Sequence, residues 1–142
     1  MFVLDTNVVS ELRSGKRGQS PAVCQWAARQ PINTLYLAAV TVLELEIGVL
    51  LHERKDSSQG AVLRARLGAC RVAFAGRILG FGEATALCCA PLHLPDKKPD
   101  RDAAIAATAL QHRFTVVTRN VSDFIPMGVA LVNPWDPQGA SA

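Results

Sequence analysis

Phe2-Val3-Leu4-Asp5-Thr6-Asn7 is the stretch on which the fold turns. Three apolar residues read as a short strand, and Asp5, Thr6 and Asn7 end it with side chains that favour turns and helix starts. A wholly apolar strand running into a helix suits a parallel sheet covered on both faces, where hydrophobic runs replace the alternation of a half-exposed strand. The same handover recurs along the chain. Leu35 to Val40 reads as a strand leading into a largely apolar helix from Thr41 to about Arg54. Arg77 to Phe81 reads as a short strand before a helix over Glu83 to Ala90, and Phe114 to Val117 as a strand ending in Thr118-Arg119-Asn120. Val129 to Val132 is the last strand.

The intervening segments read as helices: Val8 to Leu12, Ala22 to Gln30 opened by Pro21, Gly60 to Phe74 with Arg64, Arg66 and Arg71 exposed, and an Ala-rich helix over Asp102 to His112. Alternation of strands and helices predicts right-handed crossovers and an α/β fold with a parallel sheet between helical layers. At 142 residues one domain is expected, over residues 1–137, with residues 138–142 as a frayed tail.

In such a fold every strand-to-helix handover opens on one edge of the sheet. Asp5, Glu44, Asp102 and Asp123 all lie at such handovers, so the four carboxylates are expected to share one pocket. Each also has a local explanation. Asp5 can cap the following helix, Thr41-Val-Leu-Glu44 matches a capping box, Asp100 and Asp102 suit a helix N-terminus with Asp100 as N-cap, and Asp123 can cap a turn. Capping and ligation are compatible, because a carboxylate has two oxygens. Glu11, Glu46, Glu53, Asp56, Asp96 and Asp136 have no comparable placement and read as solvated.

Two carboxylates about 4 Å apart repel by about 4 kcal/mol at an effective dielectric of about 20, so a cluster needs raised pKa values or a bound cation. Oxygen ligands without His or Cys favour Mg²⁺ or Mn²⁺ over zinc, and such sites serve phosphate chemistry. Asn120 is a candidate neutral ligand beside Asp123, and Thr118 and Asn7 are candidate supports for a ligand carboxylate. His52, His93 and His112 have no visible partners and read as surface or helix-end residues.

Hydrophobic residues make up 49% and charged residues 19%, which excludes a disordered chain. Net charge is +3, but drawing several of only twelve acids into one pocket leaves the remaining surface basic and attractive to a polyanion. Arg119, Lys97, Lys98 and Arg101 are candidate contacts to the phosphates of such a polyanion, while Lys16 and Arg17 read as solvated loop charges. Cys24, Cys70, Cys88 and Cys89 lack zinc-ligand spacing and read as reduced thiols. With no basic, apolar leader and no run of about 18 apolar residues, a cytoplasmic protein is expected.

Leu4-Asp-Thr-Asn7, Thr41-Val-Leu-Glu-Leu45, Asp102-Ala-Ala-Ile-Ala-Ala-Thr-Ala109, Val117-Thr-Arg-Asn120 with Asp123-Phe124, and Asn133-Pro-Trp135 form an ordered set across the chain. That set resembles the PIN-domain ribonucleases, and within them the VapC toxins of bacterial toxin–antitoxin pairs, most like the FitB-type branch. The resemblance implies a three-layer α/β/α sandwich with a mainly parallel sheet, and metal-dependent endoribonuclease activity through Asp5, Glu44, Asp102 and Asp123. It also implies a cognate antitoxin and homodimers joined by it.

One segment departs from the family pattern. Where relatives carry a longer helix before the third acid, Pro91-Leu-His-Leu-Pro-Asp-Lys-Lys-Pro99 holds three prolines, and an interior proline costs a helix about 3 kcal/mol. An exposed loop is expected there, beside a widened groove. The rival reading follows from it: a PIN module that binds RNA or an antitoxin without efficient cleavage. A phosphoaspartyl phosphatase built on Asp5 is disfavoured, because that chemistry wants a second acid where Asn7 stands.

Overall fold

Five short strands, all parallel, form the centre of the molecule in a computed structural model that describes residues 1–136. The expected tail therefore lies outside the described residues. The strands are β1 (Phe2–Leu4), β2 (Leu35–Ala38), β3 (Ile78–Leu79), β4 (Thr115–Val117) and β5 (Leu131–Val132), in the spatial order β3-β2-β1-β4-β5. Phe2 stands opposite both Leu35 and Thr115, which puts β1 in the middle. This is the parallel, doubly covered sheet that the apolar run before Asp5 requires.

The helices are α1 (Thr6–Glu11), α2 (Pro21–Arg29), α3 (Ala39–Lys55), α4 (Ser57–Ala73), α5 (Glu83–Cys89), α6 (Asp100–His112) and α7 (Val121–Phe124). Neighbouring strand residues feed opposite layers, as a period of two demands. Val3, Ala38 and Val116 pack with Ile105, Ala106 and Phe124 on one side. Leu4, Leu37 and Val117 pack with Val8, Val23 and Trp26 on the other. The alanines of α6 are buried at positions 103, 104, 106, 107 and 109, so this helix lies close against the sheet.

Several local expectations need correcting. Strand β2 stops at Ala38, so α3 starts at Ala39 and Thr41 sits inside its first turn. The capping box therefore does not form. Thr41 is fully buried, and its hydroxyl has no hydrogen-bond partner. Pro99, not Asp100, is the N-cap of α6, since its extended backbone ends the preceding loop and Asp100 is already helical. Asp123 is also helical, inside α7, and caps nothing.

Arg64 is not a free surface charge. It grips Glu46 through Nη1 at 2.8 and 2.6 Å and Glu53 through Nε and Nη2 at 3.3 and 3.1 Å, tying α4 to α3. Asp56 caps α4 by accepting from the amides of Ser58 and Gln59. Glu11, expected in solvent, is buried because the 12–20 loop folds over it: Ser20 N–H donates at 2.7 Å, and Lys16 pairs at 3.0 Å.

The proline-rich segment is tied down more firmly than expected. Residues Ala90–His93 close a 3-10 turn, Leu92 packs on the core, and His93 Nδ1 accepts from the Lys98 amide at 3.1 Å. From Leu94 to Lys97 it is exposed loop. Among the described residues, no helix is long and apolar enough to cross a membrane. All four thiols are unpaired, and only that of Cys89 is buried.

Candidate active site

At the carboxyl edge of the sheet, Asp5 leaves β1, Glu44 projects from the second turn of α3, and Asp102 lies in the first turn of α6. All three line one cavity of about 580 Å³, together with Thr6, Asn7, Ser10, Pro99, Asp100, Arg101 and Asn120. Asp123 does not line it. That side chain is exposed on α7, yet it lies near enough for its charge to act on both Asp5 and Asp102. Of the neighbouring pair, Asn120 faces the cavity.

Asp5 is the most tightly held. Its Oδ1 accepts from the Thr6 amide at 2.8 Å, and its Oδ2 accepts from the Thr118 hydroxyl at 2.8 Å and Asn7 Nδ2 at 3.4 Å. Thr118 is itself fixed, since its hydroxyl accepts from the Asn120 amide at 3.0 Å, and Asn7 Oδ1 accepts from the Arg119 amide at 3.4 Å. Asn7 and Thr118 thus stand in direct contact with Asp5. Burial pushes the Asp5 carboxyl above its ordinary value, aided by the charges of Glu44 and Asp123 against the Thr118 and Thr6 hydrogen bonds.

Asp102 has no hydrogen-bond or ion-pair partner among the described residues. Burial raises its pKa first, and the charges of Asp5, Asp123 and Glu44 raise it further. Both oxygens of Glu44 are engaged: Oε2 accepts from the Thr6 hydroxyl at 2.6 Å and Oε1 from Arg101 Nη1 at 3.1 Å. Among the described residues, no three acidic, imidazole or thiol groups stand close enough to chelate an ion by themselves. The cavity is an acidic opening rather than a closed cage.

Sequence reading overlooked Thr6, Ser10 and Asp100 as lining residues. A signal existed for the first two, because positions four apart on α1 share one face. The expected phosphate contacts are dispersed. Arg101 points into the cavity, Lys97 lies 3.8 Å from Asp100, Lys98 Nζ donates to the Asp96 carbonyl, and the Arg119 guanidinium lies 5.2 Å from the centre of the Trp135 ring. A second groove of about 510 Å³ between α1, α3 and α4 shares Glu44 and Ser10 but is lined mainly by apolar side chains such as Leu45, Val49, Leu67 and Phe74. It holds no comparable group of carboxylates.

The donor set suits a hard divalent cation: carboxylate, hydroxyl and amide oxygens, no thiol or imidazole, and two carboxyl groups raised above their ordinary pKa by burial first and by neighbouring acids second. A PIN domain family model matches residues 2–124. The chain is 40% identical to VapC ribonuclease Y4jK of Sinorhizobium fredii, over 96% of this chain and 99% of that protein. A crystal structure of FitAcB from Neisseria gonorrhoeae matches with a TM-score of 0.85 and 36% identity, covering 95% of this chain and 99% of that one. A toxin–antitoxin complex from Klebsiella pneumoniae matches with a TM-score of 0.66 and 28% identity, covering 94% and 98%. The acidic edge of a parallel sheet, the ordered motifs and near full-length similarity agree, and the chain belongs to the PIN-domain family, in its VapC branch.

Proposed function

We propose that this chain is a metal-dependent endoribonuclease and the toxin of a toxin–antitoxin pair. The observation that carries the chemistry is the meeting of Asp5, Glu44 and Asp102 in one cavity, with Asp5 and Asp102 held above their ordinary pKa by burial and by neighbouring carboxylates. The name of the VapC ribonuclease relative supports RNA as the substrate, and the toxin–antitoxin relative supports an antitoxin as the partner. Pairing of two copies through that antitoxin belongs to the same proposal.

Asp5, Glu44 and Asp102 would hold Mg²⁺ or Mn²⁺, with Asp123 adding long-range attraction and Asn120 a neutral oxygen. Such an ion supplies a more acidic bound water and neutralises charge that develops on the phosphate. The chain's own residues do the rest. Thr118, Asn7 and the Thr6 amide fix the orientation of Asp5, so no side-chain freedom is lost when a ligand arrives. Asp102, without a hydrogen-bond or ion-pair partner among the described residues, has two open oxygens, one for the ion and one to accept a proton from the attacking water. Arg119 stacked on Trp135, with Lys97 on the exposed loop and the half-buried Lys98 next to it, would hold flanking phosphates of a single strand.

The test is RNA cleavage with added Mn²⁺ by the purified chain and by Asp102→Asn. Cleavage by the wild type and a loss of about 10²–10⁴-fold in the variant are expected, the range of a lost proton acceptor. Equal rates would remove Asp102 from the chemistry. RNA that is bound but left intact by the wild type would instead favour the non-cleaving module.

A further inference from the structure

Arg101 is the one cationic side chain among the described residues lining the acidic cavity, which also carries Asp5, Glu44, Asp100 and Asp102. Its partner is specific. Nη1 donates to Glu44 Oε1 at 3.1 Å across 57 residues of sequence, while Lys97 attends to Asp100 outside. Since Thr6 donates to the other Glu44 oxygen, each Glu44 oxygen already accepts one hydrogen bond while Arg101 is in place, and the guanidinium offsets the carboxylate's charge.

We propose that Arg101 is an internal counter-ion that a divalent cation displaces from Glu44, and that the released guanidinium then holds a phosphate of the RNA. The inference rests on the metal-dependent reading above. Arg101 is in the first turn of α6, adjacent to Asp102, so its backbone is fixed and only side-chain torsions need change. The side chain is 50% exposed and the Glu44 side chain 31%, an ion pair weak enough to be exchanged. Binding of the cation to Glu44 removes the attraction that holds Arg101 and places a positive charge beside it. A freed guanidinium at the mouth of an acidic cavity offers a planar fork suited to two phosphate oxygens.

The signature is a pair of opposite effects. With the full chain and no RNA, Mn²⁺ affinity by calorimetry should rise about two- to fivefold in Arg101→Gln, as expected for loss of a half-exposed competing pair. With metal present, affinity for a short non-cleavable RNA should fall about tenfold, and the slope of log affinity against log salt should shrink by about 0.7. Arg101→Lys should return Mn²⁺ affinity to the wild-type value and restore RNA affinity only in part, since it keeps the charge and loses the fork.

Unchanged or weaker Mn²⁺ binding by Arg101→Gln overturns the counter-ion role, and unchanged RNA affinity overturns the phosphate role. If wild type and Asp102→Asn bind Mn²⁺ equally or not at all, the metal-dependent reading itself fails and this inference with it. A purely structural Arg101 would lower the melting temperature and leave both affinities where they were.

Discussion

Asp102 and Glu11 show how one functional group, a carboxyl, is pushed in opposite directions by its surroundings. Asp102 is half-buried without a donor, so its carboxyl lies above the ordinary value, chiefly through burial. For a raised folded pKa the native state binds the extra proton, and stability is lost as pH climbs from the unfolded value of about 3.9 through the folded one. Glu11 is the reverse: the Ser20 amide first, then Lys16, hold it below the ordinary value. Its contribution is present above the unfolded value of about 4.3 and disappears as pH falls through the folded one. In metal-free protein, Asp102→Asn should therefore be more stable than wild type at pH 7, and Glu11→Gln less stable. Both differences should shrink toward pH 4 and below. Urea denaturation across pH checks this, and a Glu11→Gln deficit that persists unchanged in acid would contradict the ion-pair account.

At the scale of elements, the α3–α4 hairpin is set by one glycine. A Cβ on Gly60 would lie 2.6 Å from the Glu53 Cα, a backbone atom that cannot step aside, whereas a Cβ on Gly48 or Gly68 would meet nothing within 4 Å. Gly60→Ala should cost about 1–3 kcal/mol of stability through overpacking, offset by less than about 1 kcal/mol of helix propensity. Gly48→Ala and Gly68→Ala, in the same two helices, should gain about 0.5–1 kcal/mol. Thermal melts of the three variants separate the cases, and a stabilised Gly60→Ala would mean the hairpin can open.

What was legible in the sequence divides along the same line. Apolar runs ending in Asp or Thr located the parallel strands and the edge where Asp5, Glu44 and Asp102 gather, because burial on both faces leaves an unambiguous pattern. Contacts between distant surface residues left no such pattern. Neither Arg64 on Glu46 and Glu53, nor Ser20 and Lys16 over Glu11, nor Arg101 on Glu44 has a local signal. Asp123, expected in the cavity, lies on α7 outside its lining but close enough for its charge to act on Asp5 and Asp102, a distinction that the sequence pattern does not carry.

For the whole molecule, the acidic cavity is an unfavourable element held in place by the rest of the fold. Anything that neutralises it should stabilise the native state by mass action, as a ligand binding only the folded chain does. Millimolar Mg²⁺ or Mn²⁺ should raise the melting temperature of the wild type and leave that of Asp102→Asn nearly unmoved. A calcium-free scan with each ion measures this, and equal shifts in both proteins would point to binding elsewhere on the surface.

The central place of β1 has a kinetic consequence. Phe2 pairs with Thr115, and Asp5 is anchored by Thr118 across 113 residues of sequence, so β1 waits for a strand far along the chain. Closing so long a loop early is entropically expensive, and folds dominated by such distant pairings form slowly. A nascent chain that has not yet reached residue 118 has neither its middle strand completed nor Asp5 oriented. The pocket is thus assembled only once β4 and Thr118 are in place, so a chain cut before Thr118 should lack an oriented Asp5 and bind no divalent ion there.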